Sequence, residues 1–333
     1  MRMRNNEKYA LIGIGVNIDE GIQTIEFDET RSIVIDANIT MPDHWIRWLG
    51  TIKSRHLSGC NFFLLNKKLS ENPDDIDDEN VFLQKSVQNF FVGLLLASPF
   101  APSHKPIMLS GSQRNGEMGI RQEQEFDAPV PCLFRRYPPI MRDEMLLAAR
   151  LGEILDDLPR NGLPNGYWKI CRVLDIYTNA RTKGDVLDRL HQYSRCIEGL
   201  IGATPGNTKK QFKSRTELFI GPRHHDLMGE IYDIRGAVEH LHEYRYLEEF
   251  DRDVRLDIVK KEAIVEGISR SILARIIGNE QLLQHFANTP SLDDFWRLSS
   301  DDQRAVWGEP IDPLEAIAEF DPDRIHNGQL GAQ

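Results

Sequence analysis

The stretch Glu230-Ile-Tyr-Asp-Ile-Arg-Gly-Ala-Val-Glu-His240 decides how the second half of the chain is interpreted. It is a helix-like run that places Arg235 and His240 five positions apart. On an α-helix this spacing corresponds to a rotation of about 140° and a rise of about 7.5 Å, so the two side chains flank one face. A guanidinium binds phosphate oxygens and an imidazole exchanges a proton near neutral pH. The pair is therefore a candidate for acid–base chemistry on a phosphodiester.

The same spacing has a simpler interpretation. Arg235 could pair on the surface with Asp233 or Glu239, and His240 could lie near the negative pole of its helix. An arginine and a histidine at this spacing also occur often by chance. Convergence of the two side chains is easier if a second copy of the helix lies across a two-fold axis. From the spacing alone, a chemical role and a structural role both remain open.

The segments around this stretch have helical patterns as well. Apolar residues at spacings near three to four run through 251–277, and Gly278-Asn279 is a natural C-terminal stop. Ser291-Leu-Asp-Asp294 resembles a capping box ahead of Phe295. Further helices are predicted over 167–178, 184–201, 209–220 and 226–246. Together they predict an all-helical bundle of roughly four or five core helices.

The first half of the chain is mixed. Short segments rich in Ile and Val predict strands over 9–16, 22–27 and 32–36. Helices are predicted after Asp43, over 81–97 and from Met141, and the acidic run 70–80 is typical of a solvated loop. The proline-containing segment 101–140 is expected to be irregular, apart from an extended piece over 118–126. The breaker Leu158-Pro-Arg-Asn-Gly-Leu-Pro-Asn-Gly166 marks a domain boundary.

Composition narrows the class of protein. The net charge of -11 argues against non-specific coating by nucleic acid, so any RNA contact must use a local basic patch. The apolar content of 41% is ample for a hydrophobic core. Four separated cysteines predict reduced thiols, and neither a signal peptide nor a membrane-spanning run is recognisable. We therefore expect a soluble cytoplasmic protein with no membrane partner.

Other motifs give weak signals. Gly13-Ile-Gly15 lacks the third glycine of a dinucleotide fingerprint and is better explained as part of a strand. The turn 202–209 lacks the spacing of a phosphate-binding loop. His224-His225 and His240-Leu-His242 have no carboxylate-rich or HExxH context. Neither a metal nor a cofactor is expected.

The order of motifs in the second half resembles HEPN domains, specifically the ApeA-like branch. In those domains a helix with a Leu/Ile-Glu-x-Leu-Leu/Ile core precedes an F-x-x-R helix and then a Y-D-x-R-x4-H helix. The matching residues here are Glu198, Phe212, Arg215, Tyr232, Asp233, Arg235 and His240. The resemblance is good over about 50 residues, is weaker over 165–285, and says little about residues 1–150. The position after the motif arginine is Gly236, where active members often carry a polar residue.

The resemblance implies a bundle that dimerises so that two R-x4-H motifs form one cleft. Many such domains are metal-independent endoribonucleases of toxin–antitoxin, abortive-infection and other antiphage systems. Arg235 would bind the scissile phosphate and His240 would transfer a proton, supported by Glu198, Tyr232 and Asp233. A basic groove for the RNA substrate would come from Arg215, Lys213 and Lys210. An antitoxin or a phage-derived trigger is a possible further partner.

The family also contains members that only bind RNA or serve as dimerisation modules, and this is the alternative function. In both cases the resemblance and the sequence patterns together predict an α+β chain. Residues 1–150 would form a mixed α/β sensing or regulatory domain, residues 160–285 the HEPN-like helical bundle, and residues 286–333 C-terminal helices and a tail.

Overall fold

The computed structural model describes residues 3–36, 43–115, 117–158, 166–204, 206–241 and 247–322. The chain is α+β and divides into two compact units. The first unit comprises Met1–Pro129 and Pro138–Asp157, and the second comprises Val130–Tyr137 and Leu158–Gln333. None of the helices in the described ranges combines the length and apolarity needed to cross a membrane.

The first unit contains a six-stranded antiparallel sheet and three helices. The strands are β1 (Glu7–Ile14), β2 (Ile25–Glu26), β3 (Arg31–Ile35), β4 (Phe62–Leu69), β5 (Ile107–Arg114) and β6 (Glu117–Glu125). They are ordered β2-β3-β4-β1-β5-β6, so that β1 pairs with both β4 and β5. The helices are α1 (Asp43–Ser58), α2 (Asp78–Ala97) and α3 (Arg142–Asp157).

Strand β1 is buried along its whole length because helices cover both faces of the sheet. Tyr9 and Leu11 belong to a core that includes Leu49 and Leu57 of α1. Helix α2 packs against β1 and β4 as well. The buried Lys8 ammonium reaches the carboxylate of Asp77, the N-cap of α2, at 2.7 Å. A cation in the centre of the sheet is thus neutralised at a helix N-terminus.

The second unit is helical. Its helices are α4 (Trp168–Ala180), α5 (Val186–Ile201), α6 (Thr208–Ile220), α7 (His225–Glu239), α8 (Arg252–Gly278), α9 (Glu280–His285), α10 (Thr289–Arg297) and α11 (Ser300–Trp307). Helix α5 packs against α4, α6, α7 and α8. Its N-cap is Asp185, which accepts a hydrogen bond from the Asp188 backbone at 2.8 Å. This central position makes α5 the element that positions side chains from its neighbours.

Buried ion pairs and a buried hydrogen bond connect α8 with α5, with α4 and with the segment Val130–Tyr137. The Arg189 guanidinium donates to the Glu262 carboxylate at 2.7 Å, with both side chains almost fully buried. The Tyr177 hydroxyl donates to Glu266 at 2.9 Å, and Arg135 lies 3.4 Å from the same carboxylate. Because Arg135 belongs to the segment Val130–Tyr137, this short piece of chain contributes to the core of the second unit.

Two strands are absent from the sequence prediction. The prediction of irregular structure over 101–140 is wrong at β5, and β4 was not predicted, whereas β6 coincides with the extended piece predicted over 118–126. Strand β4 begins with Phe62-Phe-Leu-Leu65, which is buried on both faces and therefore lacks the alternation that marks a half-buried strand. The Gly and Ser residues of β5 disfavour a strand locally, but pairing with β1 and β6 overrides this preference.

Several boundaries also differ from the prediction. The predicted strand 22–27 is reduced to Ile25–Glu26. Helix α7 ends at Glu239 rather than near residue 246, because Leu241 adopts a left-handed φ of 54°; residues 242–246 lie outside the described ranges. The predicted capping box at Ser291 is wrong, because Asn288 caps α10 by accepting from the Ser291 backbone at 3.0 Å.

The predicted domain limits can be compared with the limits of the two compact units. Residue 150 lies inside α3, and the helices after residue 286 belong to the second unit. Most of the predicted breaker 158–166, and the tail from residue 323 onward, lie outside the described residues.

Candidate functional site

Arg235 lies in a polar cluster between α5 and α7. Its side chain is only 14% exposed, and Nη2 donates to Glu198 Oε2 at 2.7 Å. Nη1 forms an ion pair with Glu239, one turn further along α7. The guanidinium carbon also lies 5.7 Å from the centre of the Tyr232 ring. The arginine is therefore held by two carboxylates and one aromatic face.

Helical spacing explains why these groups meet. Tyr232, Arg235 and Glu239 are three and four residues apart, so they share one face of α7. The Tyr232 ring in turn packs against the fully buried Phe212 of α6, with ring centres 5.2 Å apart. Three helices thus contribute to one cluster, and the structure brings together Glu198, Phe212, Tyr232 and Arg235 of the sequence motif.

The cluster contains polar atoms that the described residues do not satisfy. Glu198 Oε1 and Arg235 Nε are buried and have no hydrogen-bond partner among the described residues. Burial raises the pKa of the Glu198 carboxyl, Arg235 opposes this increase, and the Glu239 charge adds to it. Unsatisfied buried groups are costly in a folded protein and are often associated with a functional site.

His191 is a member of the cluster that the sequence analysis missed. It lies on α5, two turns before Glu198, and its side chain is 14% exposed. Nε2 is buried and lies 3.5 Å from Glu239 Oε2. Burial and the Arg235 charge lower the pKa of His191, while Glu239 opposes this effect. The seven-residue spacing from His191 to Glu198, which puts both on one face of α5, is the signal that could have identified it.

His240 lies at the exposed end of α7, whereas Arg235 lies within the partly buried cluster. His240 is the C-cap of α7, and its backbone N–H donates to Gly236 at 3.1 Å. Its side chain is exposed, in contrast to the largely buried guanidinium of Arg235. The neighbouring Leu241 is 81% exposed. Both features of the simpler interpretation are present: Arg235 pairs with Glu239, and the histidine lies at the negative end of the helix.

The cations predicted to form an RNA groove have separate structural contacts. Arg215 Nη1 donates to the carbonyls of Ile201 and Gly202 at the end of α5, at 2.5 and 2.9 Å. Its guanidinium lies 5.0 Å from the Trp296 ring centre. Burial lowers the pKa of Arg215, although a guanidinium stays charged at neutral pH. Arg215 therefore satisfies backbone carbonyls at the C-terminal end of α5, in addition to carrying a positive charge.

Lys213 and Lys210 lie on α6. Lys213 is 3.3 Å from the Asp226 carboxylate, and its alkyl chain lies against Gly229 of α7. Lys210 is exposed. Asp233, predicted as a supporting residue, pairs with Lys209 at 2.6 Å instead of with Arg235. Among the described residues, no group of three or more His, Cys, Asp or Glu side chains is placed to hold a metal ion.

The charges of the cluster define what it can bind. Arg235 is flanked by two carboxylates and faces a histidine whose lowered pKa favours the neutral form at pH 7. An incoming phosphate must displace at least one carboxylate from the guanidinium. After such an exchange, the arginine fork and the imidazole are suited to bind phosphate oxygens.

Comparison of the chain with models of protein families, with curated proteins and with solved structures found no match. The HEPN resemblance therefore remains a prediction from the motif order.

Proposed function

We propose that the chain is a metal-independent endoribonuclease of the HEPN type that acts as a homodimer in antiphage defence or a toxin–antitoxin system. The observation that supports this proposal is the convergence of Glu198, Phe212, Tyr232 and Arg235 from three separate helices. The order of these residues in the sequence thus corresponds to a chain of side-chain contacts, from Phe212 through Tyr232 and Arg235 to Glu198.

In the proposed reaction the RNA 2′-oxygen attacks the adjacent phosphorus as its proton is removed. The bond from phosphorus to the 5′-oxygen breaks, and that oxygen leaves with a proton. The products are a cyclic phosphate end and a 5′-hydroxyl end. Arg235 binds the phosphate oxygens, and Glu198 orients its guanidinium. His240 transfers a proton, and its exposed position at the end of α7 leaves it accessible to RNA and to a second copy.

The test is cleavage of total RNA by the purified protein in the presence of EDTA. Arg235→Ala and His240→Ala are each expected to lose at least about 100-fold in cleavage rate, the usual contribution of one positioned acid–base or electrostatic group. Arg304→Ala and His44→Ala are controls for the loss of an exposed arginine and an exposed histidine outside the cluster. Cleavage by both site variants at the wild-type rate, in protein of unchanged helical content, would remove the assigned roles.

A second candidate function is a non-catalytic dimerisation or RNA-binding scaffold. It is favoured by the ion pairs of Arg235 with Glu198 and Glu239, which neutralise the guanidinium within the chain. The scaffold predicts no turnover of RNA by the wild type, with a dimer detected by light scattering. Cleavage of RNA by the wild type that Arg235→Ala abolishes would exclude the scaffold.

A further inference from the structure

The Glu239 carboxylate connects the arginine and the histidine of the polar cluster. The same oxygen, Oε2, forms the ion pair with Arg235 Nη1 and lies 3.5 Å from His191 Nε2. One anionic oxygen is therefore in reach of a guanidinium and an imidazole belonging to two different helices. A phosphate oxygen seeks the same two donors, because both groups form charge-assisted hydrogen bonds with it.

We propose that Arg235 and His191 form a phosphate-binding subsite within a single chain, and that the Glu239 carboxylate competes with phosphate for this subsite. The inference rests on the proposed function for its ligand class, the phosphate group of a nucleic-acid backbone. It differs from that function in assigning His191, from α5 of the same chain, as the imidazole beside Arg235.

Glu239 is the displaceable member of the cluster. Its side chain is 40% exposed, compared with 14% for Arg235 and 15% for Glu198. It is the last residue of α7, where the negative pole of the helix disfavours a carboxylate. The Glu198 carboxylate, by contrast, is buried and binds the other terminal nitrogen of Arg235. Glu239 can therefore leave while Glu198 keeps the guanidinium in place.

The protonation of His191 should respond to this exchange. Burial, Arg235 and Arg195 lower the pKa of His191, and Glu239 raises it. Removal of the Glu239 charge should lower the pKa further, whereas a phosphate anion in the same place should raise it. His191 is therefore a reporter of the subsite that does not depend on cleavage of RNA.

The experiment is a titration with inorganic phosphate, in which calorimetry gives the phosphate affinity of every variant and the NMR signals of the His191 imidazole are followed in the proteins that retain it. Glu239→Gln is expected to bind phosphate on the order of tenfold more tightly than the wild type, which is the typical effect of one charge-assisted hydrogen bond. His191→Gln in the Glu239→Gln background should lose this gain. Glu230→Gln is the matched control, because Glu230 lies on the same helix and pairs with Lys261 at 3.0 Å, away from the cluster.

Two results would overturn the subsite: equal phosphate affinity in Glu239→Gln and Glu230→Gln, or a His191 pKa that is unchanged by Glu239→Gln. The wild-type titration gives a reading even if a variant folds poorly, because phosphate should shift the His191 signals there as well. Phosphate binding at His191 without any RNA cleavage would refute the proposed function alone. RNA cleavage without a phosphate-dependent shift at His191 would refute the subsite alone.

Discussion

Arg215 illustrates how a single side chain can serve as a structural and a binding group. It was predicted to bind RNA, and the structure shows its guanidinium bonded to two carbonyls at the end of α5 and stacked on Trp296. Gly202, which accepts one of these bonds, is the left-handed C-cap of α5. The α5 terminus thus has its exposed carbonyls satisfied by a side chain of α6.

Replacement of Arg215 by lysine should separate the two roles. Arg215→Lys keeps the positive charge but loses the planar fork and the stacking, so we expect a loss of about 1–2 kcal/mol in the free energy of unfolding. Urea unfolding followed by circular dichroism measures this. Lys210→Ala, at an exposed position of the same helix, should change stability by less than about 0.5 kcal/mol. Equal stability of Arg215→Lys and the wild type would contradict the structural role.

At the scale of elements, glycines distinguish helices that must approach closely from helices with a free face. Gly93 of α2 and Gly152 of α3 face the partner helix: a Cβ on Gly93 would overlap the carbonyl of Ala148, and one on Gly152 would lie 2.8 Å from the Phe90 Cα. Gly236 of α7 is different, because nothing lies within 4 Å of an added Cβ among the described residues. Only the first two glycines are required by packing within the chain.

The same substitution should therefore have opposite effects at these positions. Gly236→Ala is expected to stabilise the protein by about 0.5–1 kcal/mol, because alanine is the better helix former and meets no neighbour. Gly93→Ala should destabilise it by about 1–3 kcal/mol through overpacking of the α2–α3 contact. Thermal unfolding of both variants provides the comparison. Destabilisation by Gly236→Ala at high protein concentration, but not at low protein concentration, would instead indicate that a second copy approaches this face.

At the scale of the whole molecule, buried histidines link stability to pH in a chain of net charge -11. His224 is buried, and its Nε2 accepts a hydrogen bond from Arg223 Nε at 2.8 Å. Burial and the Arg223 charge lower the pKa of His224, against the opposing charge of Asp312. The folded protein therefore binds this proton less readily than the unfolded chain does.

A lowered pKa for a base gives a defined direction of pH dependence. The contribution of His224 is complete above its unfolded pKa of about 6.5 and decreases as the pH falls below that value. We expect the melting temperature of wild type to decrease more between about pH 7 and pH 5 than that of His224→Gln. Glutamine keeps an acceptor for Arg223 but does not titrate. Parallel pH profiles for the two proteins would show that His224 does not contribute.

The local patterns of the sequence were sufficient for most of the helical half. Apolar periodicity identified α4, α5, α6 and α8 close to their observed limits, because each helix buries one face at a spacing that the sequence records. The order of Glu198, Phe212, Tyr232 and Arg235 likewise selected the residues of the cluster. Helix periodicity is a property of a single element, and motif order is a property of the chain, so both can be recognised in the sequence without tertiary contacts.

Strand β5 and the position of His191 were decided by tertiary structure alone, because both depend on contacts between residues that are distant in sequence. Strand β5 exists through pairing with β1, about a hundred residues earlier in the chain, against the preferences of its own Gly and Ser residues. The seven-residue spacing puts His191 on the same face of α5 as Glu198, but His191 meets Glu239 only through the packing of α5 against α7. The sequence by itself determined which side chains were available for chemistry, and the packing of helices determined that Arg235 faces Glu198, Glu239 and His191 rather than solvent.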